Sequence, residues 1–282
     1  MKIALLFNTF QDYHRQNVAV DSWRHLKQLF PDVVNLYNIQ FKDEEETFIN
    51  PYNDIPVKFV LSNSQEQIPG ATKKLPFMNE MFNTGLDIDC DYFIITNSDV
   101  IIMPLLLEVI HNTKNLKALA CSRLDIENID GFQRILAQQI KPVRWEIAGY
   151  DTFIFNKQWA EENKKLFQTP YLMGKFLYDV VWAGYMKIYG GNEPLGNGYP
   201  PYCFHIHHGI SAVTTDCPER DWNHRLTKEN DLNVLMSNAM VFNLTENLVR
   251  RTPKGAFLVP APNERIMEKQ FFDCMKIDRN LL

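Results

Sequence analysis

The chain opens on an unbroken apolar run, Ile3-Ala-Leu-Leu-Phe7, that closes on the polar pair Asn8-Thr9. Short continuous apolar runs bounded by turn residues are the pattern of strands buried on both faces. The period then changes. Ala19, Trp23, Leu26 and Phe30 recur at helical spacing and predict a helix with one apolar face, stopped at Pro31-Asp32. Val33 to Ile39 is a second β-rich run, and the acidic, polar residues 41–56 read as a surface loop. Val57-Lys-Phe-Val-Leu61 is a third strand that ends in Ser62-Asn63-Ser64. A helix is expected from about Leu75 to Thr84, with Pro76 in its first turn and Gly85 as its stop. Tyr92-Phe-Ile-Ile95 is a fourth strand, tipped by Asn97-Ser98-Asp99, and Pro104 opens a helix carrying Leu105, Leu106, Val109 and Ile110. This order, β-α-β-loop-β-α-β-α, predicts an α/β fold with parallel strands and helices on the faces of the sheet.

The second half is less regular. Leu116–Ser122 and Thr152–Phe155 read as strands, and residues 157–166 and 177–188 as helices. A loop rich in Gly and Pro (190–201) leads to the His-rich segment Tyr202–Gly209, and a long helix is expected from Asp221 to about Met240. With no repeat and no linker, the expectation is one domain over residues 1–245. It has two unlike halves, 1–110 and 111–245, with 246–282 as a C-terminal extension.

Composition narrows the partners. The 282 residues are 45% apolar and 22% charged, with a net charge of −5. No broad cationic surface is available for nucleic acid, so a phosphate-bearing ligand needs local help from a metal, a few basic side chains or helix N-termini. The five cysteines are odd in number, dispersed and without a C-x-x-C pair. That speaks against a thiolate zinc site or a disulfide framework and for a reducing, cytoplasmic setting. Asn8, Gln11 and Asp12 interrupt the N-terminal apolar run too early for a signal peptide. No stretch approaches the roughly 18 apolar residues of a membrane span, which leaves peripheral association with a membrane open.

Three strand tips carry the candidate chemistry: Asn8-Thr9, Asn63-Ser64 and Asn97-Ser98-Asp99. Parallel neighbours would put all three on the sheet edge where such folds bind ligands. Amides and hydroxyls suit the base and ribose of a nucleotide, and the Asp99 carboxylate suits a divalent cation. In Phe204-His205-Ile-His207-His208-Gly209, strand alternation puts His205 and His207 on one face, while a bend at Gly209 could turn His208 inward. Neutral imidazole is a ligand for Mn²⁺ or Zn²⁺.

The stretch Lys73-Lys74-Leu-Pro-Phe-Met-Asn79-Glu-Met-Phe-Asn-Thr-Gly85, followed by Asp91-Tyr-Phe-Ile-Ile-Thr-Asn97-Ser-Asp99, resembles the centre of GT-A-fold glycosyltransferases. The likeness extends to Asn8 and to Val60-Leu-Ser-Asn63, and more loosely over residues 145–240. It implies a three-layer α/β/α sandwich with a mostly parallel central sheet, binding a nucleotide-diphosphate sugar. Asn8, Thr9, Asn63, Lys74, Asn79, Asn97 and Ser98 would face that donor, and Asp99 would hold Mn²⁺ or Mg²⁺. A His from the C-terminal half would join Asp99, with His205 and His208 the candidates. Asn97 departs from the family, which has an acid there; the amide removes one negative charge and should weaken the metal site.

Family members that invert configuration hold an acid as general base where Tyr178-Asp179-Val-Val-Trp182 begins a helix, and a helix N-terminus helps keep such an acid charged. Asp151, in Gly149-Tyr-Asp-Thr-Phe-Ile-Phe155, is the reserve candidate on the acceptor side. Lys73, and Arg250, Arg251 and Lys254 from the tail, are further cations for a diphosphate. Trp145, Tyr150 and Trp182 could stack on a sugar. The expected function is metal-assisted transfer of a sugar to a hydroxyl of a carbohydrate or glycoconjugate. The rivals are a catalytically silent nucleotide-sugar-binding protein and a metal-dependent hydrolase centred on the histidines.

Overall fold

The computed structural model describes residues 1–9, 13–192, 202–207 and 217–237. The four apolar runs of the first half are strands β1 (Ile3–Phe7), β2 (Val34–Phe41), β3 (Val57–Leu61) and β4 (Tyr92–Thr96). They lie side by side, all parallel, in the order β3-β2-β1-β4. Parallel strands have to be connected by crossovers. Helix α1 (Tyr13–Leu29) supplies the first, and the short α2 (Ser64–Gln67) and α3 (Met78–Asp87) precede β4.

Alternation along β1 shows why the sheet is covered on both faces. Ile3, Leu5 and Phe7 belong to one core, with Val18, Trp23 and Leu26 of α1. Ala4 and Leu6 belong to the other, with Met78, Met81 and Phe82 of α3. The arrangement is the three-layer α/β/α sandwich expected. The second half completes a single eight-stranded sheet: β5 (Val100–Ile102), β6 (Ala118–Ile126), β7 (Pro142–Asn156) and β8 (Cys203–Ile206). β7 runs antiparallel to β4 and β6, β8 is parallel to β6, and β5 is antiparallel to β8. Four of the seven pairings are therefore parallel. Helices α4 (Leu105–Asn112), α5 (Gln133–Leu136), α6 (Lys157–Glu162), α7 (Tyr178–Gly190) and α8 (Pro218–Lys228) fill the layers.

Three details differ from expectation. Gly85 does not end α3, which runs on to Asp87; its missing side chain instead lets the helix press on Phe93, whose ring a β-carbon would meet at 2.4 Å. Pro76 lies before that helix, where its carbonyl accepts from the Met173 amide at 3.0 Å. The long helix expected from Asp221 divides: α8 ends at Lys228, and residues 231–237 form a separate turn of helix. Asn230 starts that turn by accepting from the Leu232 amide at 3.0 Å, as a side chain at a helix N-terminus does.

Candidate functional site

β1 and β4 pair in parallel, and their register (Leu6 opposite Ile95) brings the tips Asn8-Thr9 and Asn97-Ser98-Asp99 level at one edge. The crossover from β1 leads outward to β2 and β3, while β4 lies on its other side. In an open α/β sheet this reversal leaves a crevice at the carboxyl ends of the strands, where ligands bind.

Asp99 sits between β4 and β5. Because β5 pairs with β8 so that Val100 faces His205, the strand from the far half of the chain brings an imidazole beside it. His205 Nε2 lies 3.2 Å from Asp99 Oδ2. β6, on the other side of β8, sets Asp125 level with His205, and Asp125 Oδ1 lies 3.1 Å from Nδ1 of the same ring. Asp125 Oδ2 also meets Nδ1 of His207 at 3.2 Å, so His205 and His207 do share a face.

The charges respond to this packing. Burial would raise the Asp99 carboxyl, but the His205 hydrogen bond and the positive charges of His205, Arg123 and Arg15 outweigh it and hold it low. Burial also works against charge on Asp125, which is 1% exposed; His205, Arg123 and His207 keep it ionised far below the usual carboxylate range. His205 is held above the ordinary histidine value: burial lowers it, and bonds to Asp125 and Asp99 more than compensate.

A second group adjoins the first through β7. Asn97 Nδ2 donates to Asp151 Oδ1 at 2.6 Å, and the Asn97 amide donates to the Asp151 carbonyl at 3.1 Å. Arg123 pairs with Asp151 Oδ2 and, through Nε, with Asp125 Oδ1 at 3.2 Å. Tyr178, at the start of α7, reaches Asn97 Oδ1 at 3.4 Å. Asp179 follows it, buried, and its Oδ1 has no hydrogen-bond partner among the described residues. Burial pushes this carboxyl up to about 7, against the backbone amides of Val180, Asp179 and Tyr150 and the charge of Arg123. Leu177, just before α7, has φ of +86°. A bulky residue in that region costs of order 1–3 kcal/mol, and such outliers cluster at functional sites.

The remaining candidates separate. Asn8 ties β1 to β2 by donating to the Ile39 carbonyl at 2.7 Å, and Thr9 accepts from Gln40. Asn63 caps α2 and donates to Asp43 at 2.9 Å, and Lys74 binds Asp43 and Glu44 at 2.8 Å, beside the outermost strand. Asn79 Oδ1 is buried without a partner among the described residues, and Ser98 is buried. Lys73 meets Glu219 through its amide. Trp182 is fully buried among Phe82, Phe153, Phe155 and Phe167, so it is core and does not stack on a sugar. His208, Arg250, Arg251 and Lys254, and the side chain of Trp145, lie outside the described residues.

Arg15, Arg123 and Asp125 were absent from the expectation. Arg15 stands in the first turn of α1, and its guanidinium lies 3.8 Å from Asp99. A cation early in the helix after β1 must lie near the same edge, and that was the available signal. Arg123-Leu-Asp125 extends an apolar run by one alternation that puts both charges on one face.

Do these residues fit a divalent cation? Among the described residues no three His, Cys, Asp or Glu side chains are grouped to hold one. Asp125 lies on the Nδ1 side of both imidazoles, where a carboxylate orients a metal-ligating ring. Asp99 Oδ2 and His205 Nε2 could therefore serve a cation as two protein ligands, with the imidazole already oriented. That fits a cation whose other ligands are phosphate oxygens and water, the usual arrangement for Mg²⁺. It does not fit a self-sufficient metal cage.

The fold and these residues together define an α/β protein with an acid–imidazole site at the reversal point of its sheet. No protein-family model and no curated protein matches the chain. Solved structures similar to it include glycosyltransferases. Residues 1–349 of S. aureus TarS are 10% identical with a TM-score of 0.47, covering 89% of this chain and 74% of that one. The catalytic domain of Drosophila β1,4-galactosyltransferase 7, in complex with xylobiose, is 11% identical with a TM-score of 0.44, covering 79% of each chain. The mannosyltransferase PcManGT of Pyrobaculum calidifontis, in complex with GDP-Man and Mn²⁺, is 11% identical with a TM-score of 0.43, covering 97% of this chain and 85% of that one. At such scores the likeness is one of outline, and the chemistry has to come from this chain's own residues. No helix among the described residues is long and apolar enough to cross a membrane.

Proposed function

We propose that the protein transfers a sugar from a nucleotide-diphosphate donor to a hydroxyl of a carbohydrate or glycoconjugate acceptor, with inversion at the anomeric carbon. The observation that carries this reading is the pairing of Asp99 with His205 across the crevice, 3.2 Å apart, with Asp125 behind the ring. Asp99 and His205 would hold Mn²⁺ or Mg²⁺. When bound, the cation supplies Lewis-acid stabilisation of the charge that develops on the departing diphosphate. Asn8, Thr9, Asn97 and Ser98, at the two central strand tips, are the polar groups proposed to meet the donor, with Asn63, Lys74 and Asn79 further along the edge.

Asp179 is the proposed base. The acceptor oxygen attacks the anomeric carbon, the bond from that carbon to the diphosphate oxygen breaks with its electron pair leaving on the diphosphate, and the hydroxyl proton passes to Asp179. A carboxyl raised to about 7 is suited to take up a proton near neutrality. Asp151 is the weaker candidate, because Arg123 and Asn97 already occupy its two oxygens. The histidine-centred hydrolase is disfavoured, since Asp125 orients both rings instead of completing a ligand set with them.

The test is a thermal-shift panel of nucleotide sugars (UDP-glucose, UDP-GlcNAc, UDP-galactose and GDP-mannose), each with and without MnCl₂. Stabilisation by at least one donor that is larger with Mn²⁺ is expected. No stabilisation by any of them in either condition would overturn the reading.

A further inference from the structure

Arg123 is a residue of the cleft to which the proposed reaction gives no task. The strand facing it is irregular at that point: β6 sets Ser122 opposite Tyr150 and Arg123 opposite Glu146, so the extra residues belong to β7. β7 also carries Asp151 as an extra residue between Tyr150 and Thr152, which face the consecutive Ser122 and Cys121; a bulge re-aims such a side chain, and bulges are frequent beside active sites. Here the guanidinium reaches carboxylates on two different strands, with Nε 3.2 Å from Asp125 Oδ1 on β6 and Nη1 paired with Asp151 Oδ2 on β7. Asp125 leads on to His205 and, through its other ring nitrogen, to Asp99. Asp151 leads on to Asn97, two residues before Asp99 on the same turn. The chain of contacts therefore closes on itself around one guanidinium. The planar fork can span both acids at once, which the point charge of a lysine cannot.

We propose that Arg123 is a positioning residue that couples the two arms of the cleft, Asp125–His205–Asp99 and Asp151–Asn97, into one unit. The inference rests on the transferase reading for what the arms hold, and on the contacts alone for the coupling. A guanidinium that loses one carboxylate keeps the other, so removing either acid costs less than half of what removing both costs.

The experiment is a cycle in the full chain of Asp125→Asn, Asp151→Asn and the double variant, each also with Arg123→Lys. Melting temperature is read without ligand, and again with MnCl₂ plus UDP-GlcNAc or GDP-mannose. Without ligand, the double variant should lose more than the sum of the singles, and with Lys at position 123 the losses should add. Arg123→Lys should weaken the Mn²⁺-dependent response to the donor about 10-fold or more in midpoint concentration, by the size of effect seen when a group behind a metal ligand is lost. A purely structural arginine would lower the melting temperature and leave that midpoint unchanged. Additive losses in the protein with Arg123, or a wild-type response in Arg123→Lys, would overturn the coupling. If the wild type ignores both donors, the transferase reading falls while the ligand-free cycle still decides the coupling. If Arg123→Lys fails to fold, the cycle with Arg123 present decides it alone.

Discussion

His205 and Asp99 stand 106 positions apart in sequence and 3.2 Å apart in space. The approach is made by the sheet: β8 lies between β5 and β6, so its one histidine falls between the acid that precedes β5 and the acid on β6. A ring fixed at Nδ1 by Asp125 can present only Nε2 to the crevice.

Replacing Asp99 by Ala should therefore leave the fold intact and abolish the Mn²⁺-dependent part of donor stabilisation. Its side chain is 15% exposed and borders the crevice, so little packing is lost. His205→Gln should act in the same direction. Thermal shifts of the two variants with and without MnCl₂ check this, and an unchanged Mn²⁺-dependent shift in Asp99→Ala would contradict the ligand assignment.

Asp179 gives a prediction with a definite sign. Its folded value is about 7 against an ordinary aspartate value of 3.8, so the folded state binds the proton more tightly than the unfolded one. Its contribution to stability is complete below about pH 4 and is lost as pH rises towards 7. Asp179→Asn should remove that decline, and the variant should gain on the wild type between pH 5 and pH 8 in denaturant titrations, by roughly 1–3 kcal/mol at most. Donor turnover should move the opposite way. The wild-type rate should rise through about pH 7 as the base ionises, and the Asn variant should lose on the order of 10²–10⁴-fold.

How much of this was legible beforehand depends on whether a feature is local. The four parallel strands were, because each is an apolar run closed by turn residues, and so was the crevice, because strand tips of a parallel sheet share an edge. Asp99 was legible as the acid on such a tip. That His205 meets Asp99 needed the register of β8, which no local pattern contains. Arg123 and Asp125 escaped because β6 runs past Ser122, where its apolar character fades, and because the irregular pairing with β7 beside them leaves no local signal. Gly85 misled for a related reason: glycine ends helices, yet it also marks close packing, and only the position of Phe93 tells the two apart.

Glu219 gives a prediction of the opposite sign. It opens α8 and is 1% exposed, and its Oε1 accepts from the amides of Thr72 and Lys73 at 2.7 and 2.8 Å. Burial alone would raise the carboxyl, but the backbone amides of Glu219, Lys73 and Thr72 lower it to about 2. Stability from this group is therefore present above its ordinary value of 4.5 and is lost as pH falls from there to about 2. Glu219→Gln should cost about 1–3 kcal/mol at pH 7, because the amide is a weaker acceptor for two buried donors. The cost should shrink towards pH 2. Urea melts at pH 7 and pH 3 make the comparison, and an equal loss at both would contradict the assignment.

Gly85 supplies the last prediction. It faces β4 from α3, and a β-carbon there would sit 2.4 Å from Phe93 Cδ2 and 2.7 Å from two further ring atoms. Phe93 cannot turn away freely, because Phe155 stacks on it at 4.9 Å and Phe82 meets it edge-on at 5.6 Å. Alanine is the better helix former by roughly 1 kcal/mol, so an exposed glycine at this point of α3 would be improved by the change. Here overpacking should outweigh that gain, at about 1–3 kcal/mol or more. Gly85→Ala should thus melt below the wild type, and Gly85→Ala with Phe93→Leu should recover part of the loss. A variant as stable as the wild type would mean that the helix can shift off the sheet without cost.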